Sequence, residues 1–439
     1  MDSRVSGDSA SGGLDRRKFL GLSALAGAAV LTTAACGAGG SSGGSASSQT
    51  LTVVCESGGQ AELDPIAKLF KQQTGNTVNL VVLPYDGLFN RLTSELNSGA
   101  LSFDVAALDA IWVPQFGGAG ASLDSLFTDA VKADLFASLL DGAKHNGTYV
   151  GVPVWTNAEV LFYRKDLFED ATEKANFTAK YGYPLAPPTT WQQFTDIAQY
   201  FTRPGLYGTD VKGGVETEWL AHVLQAGSPG VVLDDSGKVI IDNAQHLAAL
   251  TFYADLNNKY KVAPSGAAQT DWAAAQNLFN QGQTAMMRFW AHAYRQIPTD
   301  AKVYGKVGVA PMIGGSAGVA AIPGPWYLMV PKQSSRADLA KQFVKFCYDN
   351  NALSINTSLG LAARQSAYQK YQDQTGYESF KPLLATLSAP KTKSRPETPK
   401  WQQIVDTVLV PMLQKAVTPG ADYAGLLAKA RGDVEALIK

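Results

Sequence analysis

Residues 51–73, LTVVCESGGQAELDPIAKLFKQQ, contain a strand pattern, a short polar loop and a helix pattern in succession. Residues 51–55 are apolar and include two valines, which is typical of a buried strand. From residue 63 to residue 70 the apolar side chains recur at the three- to four-residue spacing of an amphipathic helix. Gly75 follows, and glycine commonly ends a helix. The stretch therefore predicts the strand–loop–helix unit from which parallel sheets are built.

The alternation of strand and helix patterns continues along the chain. Further strands are predicted at residues 78–83 and 103–108, with a helix between them. A second series contains predicted strands at 160–163 and 326–330 and predicted helices at 191–201, 218–224, 243–260, 272–281, 336–348, 401–415 and 423–438. This order predicts an α/β fold with mostly parallel sheets flanked by helices. Ligands of such sheets lie beyond the carboxyl ends of the strands, which indicates residues 56–59 and 109–112.

Composition limits the classes of function. Hydrophobic residues make up 46% and charged residues 17% of the 439 residues, enough for a large core divided between two domains. A formal net charge of −1 gives no reason to expect a nucleic-acid partner. The four histidines lack the spacing of a metal site, and the glycine–lysine motif of phosphate-binding loops is absent. We therefore expect neither a metal nor a cofactor.

The N-terminus has the features of an export signal. A basic run at residues 16–18 precedes an apolar segment, residues 19–30, that is too short to span a bilayer. Residues 1–35 are therefore predicted to be a signal peptide. The paired arginines resemble the twin-arginine type, although Asp15 and Gly21 depart from its usual pattern, and ordinary Sec export is the alternative.

The small residues Thr-Ala-Ala at 33–35 precede Cys36, in a pattern that resembles a bacterial lipobox. We expect Cys36 to carry the lipid, with cleavage at an unlipidated site as the alternative. Residues 36–50 are rich in Gly, Ser and Ala and form the predicted flexible tether. The implied location is the outer face of the cytoplasmic membrane, with the protein held there by its lipid.

Cys55 and Cys347 remain once Cys36 is assigned to the lipid. In an oxidising compartment they could form a disulfide, but two buried free thiols are the favoured interpretation. We expect both residues to lie in the same lobe.

Short motifs stand in a fixed order over most of the chain: Phe103-Asp104-Val105, Gly151-Val152-Pro153, Phe162-Tyr163-Arg164, Thr189-Thr190-Trp191, Gly282 with Ala285 and Met286, and Gly360 with Arg364. In this order they resemble the extracellular sugar-binding proteins of bacterial ABC importers, the family that includes maltose-binding protein. The resemblance implies a two-lobe periplasmic-binding-protein fold with a hinge, whose chain crosses between the lobes near residues 152–157 and 324–328. Lobe one would then comprise residues 51–153 and 326–370, and lobe two residues 154–325 and 371–439.

A sugar site needs aromatic rings for the C–H faces of the sugar and polar side chains for its hydroxyl groups. Loop and strand-end positions supply both kinds of side chain. The candidate ligand-binding residues, some placed by the resemblance, are Glu56, Asp109, Trp112, Trp155, Asn157, Glu218, Trp290, Trp326 and Arg364. Each tryptophan could instead be a core residue, and Arg364 could hold a salt bridge. Glu216 is a less secure candidate, and Trp191 is expected to pack.

The resemblance implies a monomeric binding component that captures a di- or oligosaccharide, a monosaccharide or a polyol. It would deliver this carbohydrate to the transmembrane subunits of an ABC permease, with no catalytic residues. A secreted glycoside-acting enzyme with a carboxylate-lined cleft is the alternative, because such enzymes also combine carboxylates with aromatic rings. A purely structural surface lipoprotein is a third class.

Overall fold

The computed structural model describes residues 48–439. The predicted signal peptide, Cys36 and nearly all of the tether lie outside these residues. The strands are β1 Thr50–Glu56, β2 Thr77–Leu83, β3 Val105–Asp109, β4 Lys144–His145, β5 Thr148–Tyr149, β6 Gly151–Trp155, β7 Glu159–Arg164, β8 Met286–Trp290, β9 Val307–Ala310, β10 Gly314–Gly315, β11 Gly318–Val319 and β12 Trp326–Met329.

The first nine α-helices are α1 Gln60–Thr74, α2 Tyr85–Ser98, α3 Val113–Phe116, α4 Asp129–Ala133, α5 Ala137–Gly142, α6 Lys165–Phe168, α7 Ala171–Tyr181, α8 Trp191–Phe201 and α9 Thr217–Gln225. The remaining helices are α10 Ala244–Asn258, α11 Trp272–Asn280, α12 Ala337–Asp349, α13 Gln365–Tyr371, α14 Phe380–Leu387, α15 Trp401–Ile404, α16 Val410–Ala416 and α17 Tyr423–Ile438. The π-helix Val405–Leu409 joins α15 to α16.

Two sheets organise the two lobes, and the predicted two-lobe α/β fold is confirmed. The first sheet has the order β2-β1-β3-β12-β6, and the second has the order β8-β7-β9. Strands β1, β2 and β3 are parallel, as predicted. Strand β12 is antiparallel to both of its neighbours, and the second sheet is antiparallel throughout. The strand directions thus differ from the prediction, because β12 re-enters the first sheet from the end at which β6 leaves it.

Helix α12 packs on the first sheet through α1 and β6. Phe70 of α1 makes edge-to-face contacts with Phe343 and Phe346 of α12, each with ring centroids 5.2 Å apart. Cys55 in β1 and Cys347 in α12 are both buried and free. They belong to the same lobe, as predicted, and burial raises the pKa of the Cys55 thiol to about 12.

Three chain segments lie side by side between the sheets. The backbone N–H of Thr156 donates to Ala362 O at 2.9 Å, and that of Gly324 donates to Asn157 O at 2.9 Å. The segment with residues 156–157 and the segment with residue 324 lie where the crossings were expected, near residues 152–157 and 324–328. The exact lobe boundaries stay predictions.

Candidate functional site

The carboxyl ends of the parallel strands form one edge of the first sheet. Glu56 ends β1 and Asp109 ends β3, while Trp326 begins the antiparallel β12 and therefore lies at the same edge. In the strand register Trp326 is opposite Asp109 on one side and Trp155 on the other. Four predicted site residues thus share this edge.

Four rings, Tyr85, Trp112, Trp155 and Trp326, form an aromatic cluster at the edge. The ring of Trp326 lies 5.7 Å from that of Trp155 in a stacked arrangement and 5.6 Å from that of Trp112 in an edge-to-face one. Tyr85 contacts Trp112 at 4.6 Å. Trp112 and Trp155 are buried, whereas Tyr85 and Trp326 are partly exposed. The cluster therefore consists of two buried rings that are held in place by packing and two rings whose surface is partly accessible to a ligand.

Asp109 links the cluster to charged groups. Its Oδ2 accepts a hydrogen bond of 3.1 Å from the Tyr85 hydroxyl, and its Oδ1 accepts one of 3.2 Å from the N–H of Ile111. Arg395 Nη1 lies 3.7 Å from Oδ1. Burial, and secondarily the Asp109 carboxylate, raise the pKa of Tyr85, which stays a hydrogen-bond donor at neutral pH.

Arg395 and Glu216 reach this edge from other parts of the chain. Burial raises the pKa of Glu216, while the guanidinium of Arg395 acts in the opposite direction and the Asp109 carboxylate adds to the increase. The three charged groups are thus electrostatically coupled. Sequence reasoning missed Arg395, because it lies in the Pro-, Lys- and Thr-rich segment 390–400, which has no hydrophobic period.

Glu56 shapes the loop after β1. Its Oε2 accepts hydrogen bonds from the backbone N–H groups of Gly58 and Gly59 at 2.7 and 3.0 Å. A Cβ on Gly59 would lie only 2.5 Å from the ring of Trp155, so glycine is required for this close approach. Glu56 holds the loop against the cluster.

Asn157 lies at the first crossing, and Trp290 lies on the second sheet. Asn157 Nδ2 is 2.7 Å from His292 Nδ1, and burial lowers the pKa of His292 to about 4, so this ring is neutral at pH 7. The ring of Trp290 is partly exposed and lies 5.6 Å from that of Trp272. A Cβ on Gly324 would be 3.0 Å from the Trp290 ring. Trp290 therefore stands beside the second crossing.

Glu218 has a different environment from the one predicted. Its carboxylate is fully buried and pairs with Lys212 Nζ at 2.5 Å and Arg288 Nη2 at 2.6 Å. Lys212 also pairs with Asp210 at 2.5 Å. Helix α9 begins at Thr217, so Glu216 precedes the helix while Glu218 faces the interior. Glu216, not Glu218, is the carboxylate coupled to Asp109 and Arg395.

Arg364 also lies apart from the aromatic cluster. Its Nε pairs with Asp134 Oδ2 at 2.6 Å, and its guanidinium lies 4.9 Å from the centroid of the Tyr348 ring. The salt-bridge role is the one that the geometry supports, because Asp134 and Tyr348 hold the guanidinium and neither belongs to the aromatic cluster. Trp191 packs as expected, stacked on Phe252 at 4.4 Å.

Over residues 48–439, none of the helices combines the length and the apolar character needed to cross a bilayer. Within the same range, the His, Cys, Asp and Glu side chains form no group that could hold a metal ion.

The chain is similar to known proteins over most of its length. The family model for bacterial extracellular solute-binding proteins matches residues 56–352. A probable ABC transporter-binding protein of Deinococcus radiodurans is 27% identical over 394 residues, which cover 86% of both chains. The mannitol-binding protein of Pseudomonas aeruginosa is 25% identical over 312 residues, which cover 67% of this chain and 68% of the relative.

Solved structures extend the similarity to the fold. Maltose-bound MalE3 of T. maritima superimposes with a TM-score of 0.73 at 26% identity and covers 89% of this chain and 100% of its own. A solute-binding protein of Agrobacterium radiobacter in complex with ribitol gives a TM-score of 0.71 at 25% identity, with 88% and 98% covered.

Proposed function

Since this chain belongs to the family of bacterial extracellular solute-binding proteins, we propose that it captures a sugar or sugar alcohol between its lobes and delivers it to an ABC permease. Three of the similar proteins have names that record mannitol, maltose or ribitol as the ligand. These ligands share several hydroxyl groups and little else that is polar. The ligand class proposed for this chain is therefore a neutral polyhydroxy compound.

The single observation that carries the proposal is the aromatic cluster with Asp109 and Arg395 at the carboxyl edge of the first sheet. Stacked indole rings offer the flat apolar surface on which the C–H face of a sugar packs. The carboxylate accepts hydrogen bonds from hydroxyl groups and the guanidinium donates them. Several such contacts supply the roughly −8 kcal/mol that corresponds to micromolar affinity.

The origin of the candidate residues in both lobes supports binding in this location. Asp109 and Trp112 come from the first lobe, whereas Glu216 and Trp290 come from elements around the second sheet. A ligand that contacts both groups stabilises the closed arrangement over the open one by its differential affinity. The closed form would then be the one that the permease recognises, and the binding protein acts as a monomer.

The N-terminal features complete the proposal. Residues 1–35 act as an export signal of the twin-arginine type, and lipidated Cys36 anchors the protein to the outer face of the cytoplasmic membrane. The tether then allows the binding lobes to reach the permease.

A ligand panel tests the proposed function. Maltose, glucose, mannitol and ribitol are added to the purified protein, and the melting temperature is measured. A ligand at one hundred times its dissociation constant adds about 2.7 kcal/mol to the free energy of unfolding. Incubation of the same mixtures, followed by chromatography of the sugars, separates a receptor from a glycoside-acting enzyme, because only the enzyme consumes its ligand. A protein that is stabilised by none of these compounds would contradict the proposal.

A further inference from the structure

The loop that leads into α9 carries Glu216 and is fixed to the chain that precedes α11. The backbone N–H of Gly213 donates to Ala267 O at 2.7 Å, and that of Gly214 donates to Thr270 O at 3.0 Å. These bonds join two irregular segments that have no sheet or helix in common. The position of Glu216 therefore depends on contacts with α11 and its approach.

Lys212 lies in the same loop, and its side chain is fully buried. Its Nζ is 2.5 Å from carboxylate oxygens of both Asp210 and Glu218, and it donates a hydrogen bond of 2.9 Å to Arg288 O. An ammonium group carries three N–H donors, which matches these three oxygens in number. The loop, α9 and β8 thus meet at a single nitrogen atom.

The charges around Lys212 balance. Burial acts to lower the pKa of Lys212, but the carboxylates of Asp210 and Glu218 outweigh it and raise this pKa, so the side chain is charged at neutral pH. Arg288 supplies a second cation and pairs with Glu218 at 2.6 Å. Buried ion pairs of this kind add little stability compared with apolar residues of the same volume. Their presence here favours a role in fixing geometry.

Trp272, the first residue of α11, lies next to the same ammonium group. Lys212 Nζ is 5.3 Å from the centroid of the Trp272 ring, a distance at which a cation attracts an aromatic face. Trp272 in turn contacts Trp290, with ring centroids 5.6 Å apart. Trp290 also follows Arg288 by two residues in β8. Lys212 is therefore connected to the Trp290 ring both through an aromatic contact and through the strand backbone.

We propose that Lys212 is a positioning residue for the part of the ligand site that the second lobe contributes. It orients Trp290 through Trp272 and β8. It orients Glu216 by holding Glu218 at the start of α9. The inference rests on the proposed function and concerns how its site is kept in shape, since the enclosed ammonium group itself does not touch a ligand.

The double variant Asp210→Asn with Lys212→Met tests the proposal. It removes one charge of each sign, so Glu218 and Arg288 stay paired and no net charge is left in the interior. Maltose, mannitol and ribitol are titrated calorimetrically into the full chain, well below the melting temperature of the variant. We expect the ligand that binds the wild type most tightly to bind the variant at least about tenfold more weakly, because its contacts are no longer held in place.

Fluorine NMR of protein labelled with 5-fluorotryptophan separates positioning from a general loss of stability. The chain has eight tryptophans, and substitution of single tryptophans by Phe assigns their signals. In the double variant the signals of Trp272 and Trp290 should shift or broaden, whereas those of Trp112 and Trp155 in the first lobe should stay in place. Unchanged signals of Trp272 and Trp290 would overturn the positioning role.

Trp272→Leu is a second variant, which breaks the aromatic contact without removing a buried charge. It should weaken ligand binding and shift the Trp290 signal, and it decides the matter alone if the double variant does not fold. The control is Asp134→Asn with Arg364→Met, which removes an ion pair of 2.6 Å in the first lobe. The control should keep the wild-type affinity and the wild-type Trp290 signal, even if its melting temperature falls.

The outcomes distinguish this inference from the proposed function. Wild-type affinity in the folded double variant, or an equal loss of affinity in the control, would overturn the positioning role and leave the proposed function intact. A wild-type protein that binds none of the three ligands would count against the proposed function itself.

Discussion

Glu159 is the cross-strand partner of Trp290 in the antiparallel pairing of β7 with β8. Its carboxyl group is buried beside the ion pairs of Lys212, Glu218 and Arg288, and neither of its oxygens has a hydrogen-bond partner within residues 48–439. Burial, and then the charge of Glu218, raise the pKa of Glu159 to about 8. The carboxyl group next to a candidate ligand-stacking ring is therefore neutral at pH 7.

A buried acid of this kind makes stability depend on pH. The unfolded chain loses the Glu159 proton near pH 4.5 and the folded chain near pH 8, so folding stability falls as pH rises between these values. Glu159→Gln should make this fall shallower and should raise the free energy of unfolding at pH 8 by several kcal/mol, with little effect at pH 4. Urea denaturation at several pH values measures the difference.

Glu173 provides a control of opposite sign. The hydrogen bond from Arg203 lowers the pKa of Glu173, so its stabilising contribution is present at neutral pH and is lost as pH falls. Glu173→Gln should therefore lower stability at pH 8. Identical pH profiles for the wild type and Glu159→Gln would show that Glu159 is ionised in the folded protein.

Trp290→Ala tests the ligand contact on the second lobe. If the ring stacks on the sugar, its loss should cost about 2–4 kcal/mol of binding and leave the melting temperature nearly unchanged. Trp191→Ala is the control, because Trp191 is stacked on Phe252 and should instead lose about 3–5 kcal/mol of stability. Ligand affinity and melting temperature are measured on both variants. Wild-type affinity in Trp290→Ala would remove this residue from the site.

The pair Asp109 and Arg395 can be tested by a double-mutant cycle. Asp109→Asn and Arg395→Gln should each weaken binding, and the double variant should lose less than the sum of the two by about 0.5–3 kcal/mol. The readout is calorimetric affinity for the best ligand of the panel. Strict additivity would mean that the two side chains act on the ligand independently.

Gly59→Ala tests the close approach of the first loop to Trp155. The added methyl group would lie 2.5 Å from the ring, so the loop or the indole must move, at a cost of about 1–3 kcal/mol in stability. Gly432→Ala in α17 is the matched control, since no atom lies within 4 Å of its Cβ position. This change should stabilise the helix by up to about 1 kcal/mol. Thermal denaturation distinguishes the two, and equal effects would contradict the predicted clash.

Cys36→Ala tests the anchor. We expect the variant to be released into the soluble fraction, whereas the wild type stays with the membrane, because the acyl chains on the cysteine provide the attachment. Cell fractionation with mass spectrometry of the mature N-terminus is the measurement. An unlipidated wild-type protein would refute the lipobox interpretation.

The sequence was sufficient for those parts of the fold and site that depend on local pattern. The β1–α1–β2 unit followed from hydrophobic period, and Glu56 and Asp109 were predicted at one edge because the carboxyl ends of parallel strands share it. Trp155 and Trp326 were candidates because the family resemblance implied lobe crossings at their positions. Arg395 could not be found in this way, because it reaches the site from an irregular segment through a long-range contact.

Glu218 shows a second reason why sequence prediction failed. Glu216 and Glu218 are two positions apart, which corresponds to about 200° around an α-helix. Whether residue 216 or residue 218 points to the edge depends on where α9 begins. Sequence pattern does not fix a helix start to within two residues.

The position of β12 has a consequence for the order of folding. This strand comes late in the chain yet lies between β3 and β6, so the first sheet has a gap until residues 326–329 have been synthesised. A nascent chain that ends before this point exposes two unpaired strand edges, which are prone to association with other chains. The first sheet therefore cannot be completed until residues 326–329 are available, whereas all three strands of the second sheet have been synthesised before that point.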